Sequence, residues 1–252
     1  MQFLLLLLGA TIGGINAKVA LPPTFDAYVP TNISQLMPRL SPVYVPFAEL
    51  QAIPAGHPRE RNASFDLAER LVPPESFLHS IRCYYFALGT LYSGFPSGTP
   101  GVPQISTTEL ATRLYHTALL HDLGWTQSKE GLSHPAHTMS FELFGGIRAY
   151  EHLFDKVPSL NGTEVSDIVQ SIMLHTIAPQ WDIGMSSATG MLMSLSACRD
   201  TVREIEAAYP RGTFAAEGTA ILDSELARKP DCLTSHIAVD RANLIRVDPI
   251  VE

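Results

Sequence analysis

The sequence predicts an all-α protein, a helical bundle preceded by a Pro-rich extended arm. Three observations predict it. From residue 74 onward, apolar residues recur at helical spacing in one segment after another. Almost nowhere do apolar and polar residues alternate as they would along a strand. Most of the periodic segments begin or end at a residue that caps or stops a helix. With 46% hydrophobic and 17% charged residues, the chain has a globular composition. Its 252 residues suffice for one sizeable core or at most two small domains. A net charge of −8 argues against a nucleic-acid backbone or an anionic membrane surface as the main partner. No apolar run reaches the roughly 18–20 residues needed to span a bilayer.

Taken in chain order, the first element is a leader. Apolar residues from Phe3 to Ile12 precede small residues ending at Ala17, the pattern of a signal peptide over 1–17, and this predicts a secreted protein. Three glycosylation sequons agree with it: Asn32-Ile33-Ser34, Asn62-Ala63-Ser64 and Asn161-Gly162-Thr163. Three cysteines allow at most one bridge, and Cys83, Cys198 and Cys232 are expected as small buried hydrophobes. Residues 18–73 are punctuated by proline, which predicts an extended arm with short helical turns such as 64–71. Such an arm could wrap a neighbouring copy in a homo-oligomer.

The remaining residues, 74–252, form the predicted helical domain. Phe77, Ile81, Tyr84, Tyr85, Leu88 and Leu91 predict a helix over 74–92. A Gly- and Pro-rich loop follows. Ser106-Thr107-Thr108-Glu109 has the capping-box pattern and starts a helix expected to run to 123, with Gly124 ending it. A polar loop reaches 138. Helices are expected over 140–154 and 163–175, the second capped by Thr163. After a loop over 178–186, the longest helix is expected over 187–209, where Pro210 stops it. A last helix is expected over 214–228, before Pro230.

Four residues on these helices carry metal chemistry. His121 continues the apolar stripe of Leu110, Leu114 and Ala118, so it projects towards the core together with its neighbour Asp122. His79 shares a face with Cys83 and Phe86, and Asp200 extends the stripe of Met193 and Ala197. A buried carboxylate without a partner costs roughly several kcal/mol. Two imidazoles and two carboxylates on inward faces are therefore cheapest around a shared cation, and the ligand types suit Zn²⁺, Fe²⁺ or Mn²⁺. Asp122, near the negative end of its helix, is poorly placed unless a cation is near.

This His…His-Asp…Asp arrangement resembles the HD-domain metalloenzymes. Within them, Leu78-His79-Ser80-Ile81-Arg82-Cys83 and Leu119-Leu120-His121-Asp122-Leu123-Gly124-Trp125-Thr126 are similar to the ligand helices of the cyanamide hydratase group. Ser140-Phe141-Glu142-Leu143-Phe144-Gly145-Gly146 resembles that group's SFE-x-x-GG helix, and Ala197-Cys198-Arg199-Asp200 falls where its last aspartate is expected. The resemblance implies a divalent metal, Zn²⁺ or Fe²⁺, held by His79, His121, Asp122 and Asp200. It implies hydration of a small nitrile-like molecule, as when cyanamide becomes urea, with Asp122, His175, Glu142 and Thr126 as the polar groups that assist. The chain departs from the group at Thr176-Ile177, where a carboxylate is expected, and at Trp125, where a smaller polar residue is usual. Two rival readings are a metal-dependent phosphohydrolase, with Arg82 and Arg113 available for phosphate, and a non-catalytic secreted protein on the same scaffold. His134 and His137 could cover the metal or simply face solvent, and Gly145-Gly146 is expected to allow close helix packing.

Overall fold

In a computed structural model, which describes residues 20–41, 43–177, 183–196 and 202–236, most of the chain is helical. Eleven α-helices occur among the described residues: α1 Ile33–Leu36, α2 Phe47–Gln51, α3 Pro58–Leu71, α4 Pro74–Tyr92, α5 Thr107–Leu120, α6 Lys129–Leu132, α7 Phe141–Lys156, α8 Gly162–Leu174, α9 Ala188–Leu195, α10 Val202–Ala208 and α11 Phe214–Arg228. Proline opens α3 and α4 at the first helical position, where its missing N–H costs nothing. The predicted leader 1–17, Cys198 and the candidate ligand Asp200 lie outside the described residues.

Helix α5 is the hub, with α3, α4, α8 and α9 packed against it. Its residues Leu110, Ala111, Leu114, Ala118 and Leu119 are all buried, as a helix enclosed by neighbours requires. Ser106 caps it by accepting from the Glu109 N–H. The other half of the expected capping box is absent, because the Glu109 carboxylate pairs with Arg113 instead. The helix ends at Leu120, short of the expected 123, and a 3₁₀ turn, Leu123–Trp125, follows.

Other expectations need correction. The described residues of the predicted arm 18–73, namely 20–41 and 43–73, are not extended outside the body: Phe25, Val29, Leu36, Leu40, Val45 and Leu50 are core residues. Two short antiparallel pairs tie it to the body. Strand β1 (Thr24–Asp26) pairs with β3 (Gln104–Ser106), and β2 (Tyr28–Pro30) with β4 (Met185–Ser187). Exposed Glu204 accepts from the Phe47 N–H and the Tyr44 hydroxyl and so secures the same segment to α10. The predicted loop over 178–186 thus ends in a strand, and the predicted polar loop before 138 contains α6 and a 3₁₀ turn, Pro135–Thr138. The cap of α8 is Asn161, which forms a full capping box with Glu164, not Thr163. The single helix expected over 187–209 stops at Leu195, where Ser196 turns its hydroxyl back onto the Met193 carbonyl. The helices predicted over 74–92 and 214–228 have the expected bounds.

A polar joint crosses the core between α3, α5 and α7. The buried Ser64 hydroxyl lies 2.9 Å from His116 Nδ1 and 3.0 Å from His152 Nε2. One hydroxyl hydrogen serves only one imidazole, so the other ring must present its N–H to the Ser64 oxygen. Burial, with His152 and Arg61 nearby, pushes His116 down to about 3; burial, with Lys156 nearby, pushes His152 down to about 4. Both lie below the usual 6.5 of an unfolded histidine. Below pH 6.5 the unfolded chain therefore binds protons that the folded chain refuses, and stability falls as pH drops from 6.5 towards 4. Denaturation midpoints measured between pH 7.5 and 4.5 should decline more steeply for the wild type than for the double variant His116→Gln/His152→Gln. Equal slopes would remove this joint as a source of acid sensitivity.

Candidate metal centre

Two imidazoles reach the centre from the ends of helices. His121 sits at the C-cap of α5 and His175 at the C-cap of α8. The last carbonyls of a helix have no intrahelical donor. His121 Nδ1 meets one of them, Ala118 O at 2.8 Å, and His175 Nδ1 meets Ile172 O at 2.6 Å. Only a protonated Nδ1 can make such a bond, so each neutral ring carries its lone pair on Nε2. The same contacts finish the helices and orient the rings. The two ring centroids are 5.0 Å apart and nearly perpendicular.

Asp122 follows His121 in the turn and is 1% exposed. Its Oδ2 lies 3.1 Å from His121 Nε2 and 4.0 Å from His79 Nε2, and no hydrogen bond reaches that oxygen. An Nε2 lone pair facing a carboxylate oxygen is repulsive unless something positive lies between them. Burial opposes charge on His121, but the Asp122 carboxylate outweighs it and raises His121 above its ordinary value. Burial likewise works to raise Asp122, and the facing imidazoles outweigh that and hold it low. Burial drives His79 down to about 3 and His175 down to about 4.

The donor set fits a cation. His121, Asp122 and His175 offer ligand atoms within 4.8 Å of one another, and so do His79, Cys83 and His121. Imidazole Nε2 atoms fixed through Nδ1–H bonds to carbonyls, beside a buried carboxylate, match how proteins orient metal ligands. His79, on α4, lies flat against Phe214 of α11, with centroids 4.2 Å apart. Trp125, Phe141 and Phe214 form a buried apolar cluster at this end of the bundle, so Trp125 is a packing residue there.

The predicted site residues therefore divide. His79, His121 and Asp122 come together, and His175 joins them as a possible ligand through Nε2. Thr126 does not join: its hydroxyl pairs with Ser128 Oγ at 2.9 Å and accepts from the Ser128 N–H, forming a local turn. Glu142 is fully buried and accepts from Thr176 Oγ1 at 2.7 Å, so it braces the turn beside His175. His134 and His137 pack against Phe144 and are in neither ligand group. Cys83 was missed as a candidate ligand. Its Sγ lies 3.4 Å from His79 Nε2, and the i, i+4 spacing from His79 was the signal available. Burial pushes its thiol up to about 12.

Compared with models of known protein families and with curated proteins, the chain matches none.

Proposed function

We propose that the protein is a metal-dependent lyase of the HD-domain type, acting as a hydratase on a small nitrile-like substrate such as cyanamide and giving urea. One observation carries this reading. The imidazoles of His121 and His175 are each tied through Nδ1 to a helix-end carbonyl, beside a buried Asp122 oxygen that no donor satisfies. The similarity of the His79, His121-Asp122 and Ser140–Gly146 motifs to the cyanamide hydratase group supplies the reaction.

A divalent cation, when bound, supplies water of lowered pKa, from 15.7 towards about 7, together with polarisation of the substrate. His121, His175 and Asp122 would hold it, with His79 or Cys83 completing the set. Holding both reactants in one geometry removes much of the entropic part of the barrier. The water oxygen bonds to the nitrile carbon, one C–N π bond breaks, and one water hydrogen passes to the nitrogen. The product is the imidic tautomer, which relaxes to the amide or urea. Asp122 would hold the cation through Oδ2, and its buried carboxylate would orient the attacking water. Phe214, stacked on His79 and on Trp125, fixes the His79 ring at the edge of the centre.

Phosphate transfer fits less well, because it needs a free cation to hold the phosphate. Arg82 is buried and donates to the Tyr209 and Pro210 carbonyls, and Arg113 is paired with Asp167 and Glu109. Purified protein is expected to contain a divalent metal and to release urea from cyanamide, and chelator should abolish turnover and lower the melting temperature. Phosphate release from nucleotides, without urea, would overturn the reading in favour of hydrolysis.

A further inference from the structure

A cavity of about 290 Å³ opens beside the centre, bounded by β2, β4, α5, α8 and α9. That is the lower end of the range for small-ligand pockets. It shares one residue with the proposed metal centre, His175. Its floor is α9 at Gly190. A side chain there would meet Ser171 Oγ and Ser186 Oγ at 3.2 Å and Ser187 Oγ at 3.4 Å, so three hydroxyls converge on a position kept bare.

The polar groups are unfinished. Ser171 is 4% exposed, and its hydroxyl has no hydrogen-bond partner. A buried hydroxyl left unmade costs stability unless a ligand completes it. Arg113, on another wall, has a buried Nε with no partner. Asp167 accepts from Arg113 Nη1 at 2.9 Å and from Thr189 Oγ1 at 2.7 Å, and both bonds fall on Oδ2, leaving Oδ1 for a ligand donor. Arg113 is held by Asp167 and, outside the lining, by Glu109, so the cavity offers a donor and an acceptor side by side but no free cation for an anionic head. Half-exposed Tyr28 and Met185 add an apolar rim.

The geometry points to a binding site for a small uncharged molecule with an amide-type head, whose carbonyl accepts from Ser171 or Arg113 and whose N–H donates to Asp167. The inference deepens the hydratase reading and rests on it for the role of the cavity, which then receives the polar body of a substrate or its amide product next to His175. A charged head of the same shape would leave one of the paired charges repelled.

Benzamide, benzoate and benzamidinium form a matched neutral, anionic and cationic set for titration by calorimetry or ligand-observed NMR. Benzamide is expected to bind at least about tenfold more tightly than either ion. Ser171→Ala should weaken benzamide about fivefold to tenfold, the value of one hydrogen bond. Its melting temperature should stay level or rise, because the hydroxyl has no partner to lose. Ser166→Trp, at the exposed mouth, should abolish binding. Equal affinity for the three probes, or unchanged affinity in both variants, would overturn the site. Titration of chelator-treated protein separates this inference from the hydratase reading. Benzamide binding in a protein that makes no urea keeps the cavity and discards the hydratase, whereas urea production without benzamide binding does the reverse.

Discussion

Replacing His121 by alanine is expected to reduce bound metal and urea production to background. His121 is the only residue common to the two ligand groups among the described residues, so its loss disables both. It also frees the Ala118 carbonyl at the end of α5 and leaves Asp122 without its nearest imidazole. Elemental analysis beside a urea assay reads the first effect. A His121→Gln variant keeps a donor near the carbonyl and should recover stability without recovering metal, which separates ligation from helix capping. Full metal content and turnover in both variants would defeat the proposed centre.

Gly124→Ala is expected to destabilise the fold by about 3 kcal/mol or more, the range of strongly overpacked sites. A methyl group on Gly124 would overlap the backbone carbonyl of Phe141, which is not a flexible group that can swing aside. Nor can the start of α7 retreat freely. The Phe141 N–H donates to Glu225 at 2.9 Å, and its ring packs against Trp125. The strain would fall on the turn that carries Asp122, so metal content should drop together with stability. Gly162→Ala is the control, since a methyl there meets nothing within 4 Å and should leave stability level or slightly higher. Denaturation curves and metal analysis of both variants decide it, and a Gly124→Ala protein as stable as the wild type would refute the close approach.

Gly124 also illustrates how far local sequence could be read. Its place after a helical stripe suggested a C-terminal stop, but its φ is not positive, and the packing of α7 on the turn after α5 is what demands glycine. Capping shows the same limit. Ser106 was legible because its bond is local, whereas Thr163 lost the role to Asn161, two residues earlier, where a side chain reaches both the Thr163 and Glu164 N–H groups. Proline content suggested an extended arm, but Phe25, Val29, Leu36 and Leu50 bury enough apolar surface to hold it in the core.

The candidate centre divides along similar lines. Helical periodicity alone turned His79, His121 and Asp122 inward, because side chains three and four residues apart share a face whatever the helix packs against. Cys83 was visible on the His79 face but looked like core, and only the approach of α5 to α4 brings its sulfur into a ligand group. Thr126 is engaged by Ser128 in a local turn, and Glu142 by Thr176 beside His175. Amino-acid order, acting over one or two helical turns, was enough to set the helices over 74–92 and 214–228 and to aim the inward imidazoles of His79 and His121. Which groups meet around one point, and the cavity that opens at His175, arise from contacts between residues far apart in the chain, whose geometry no local pattern encodes.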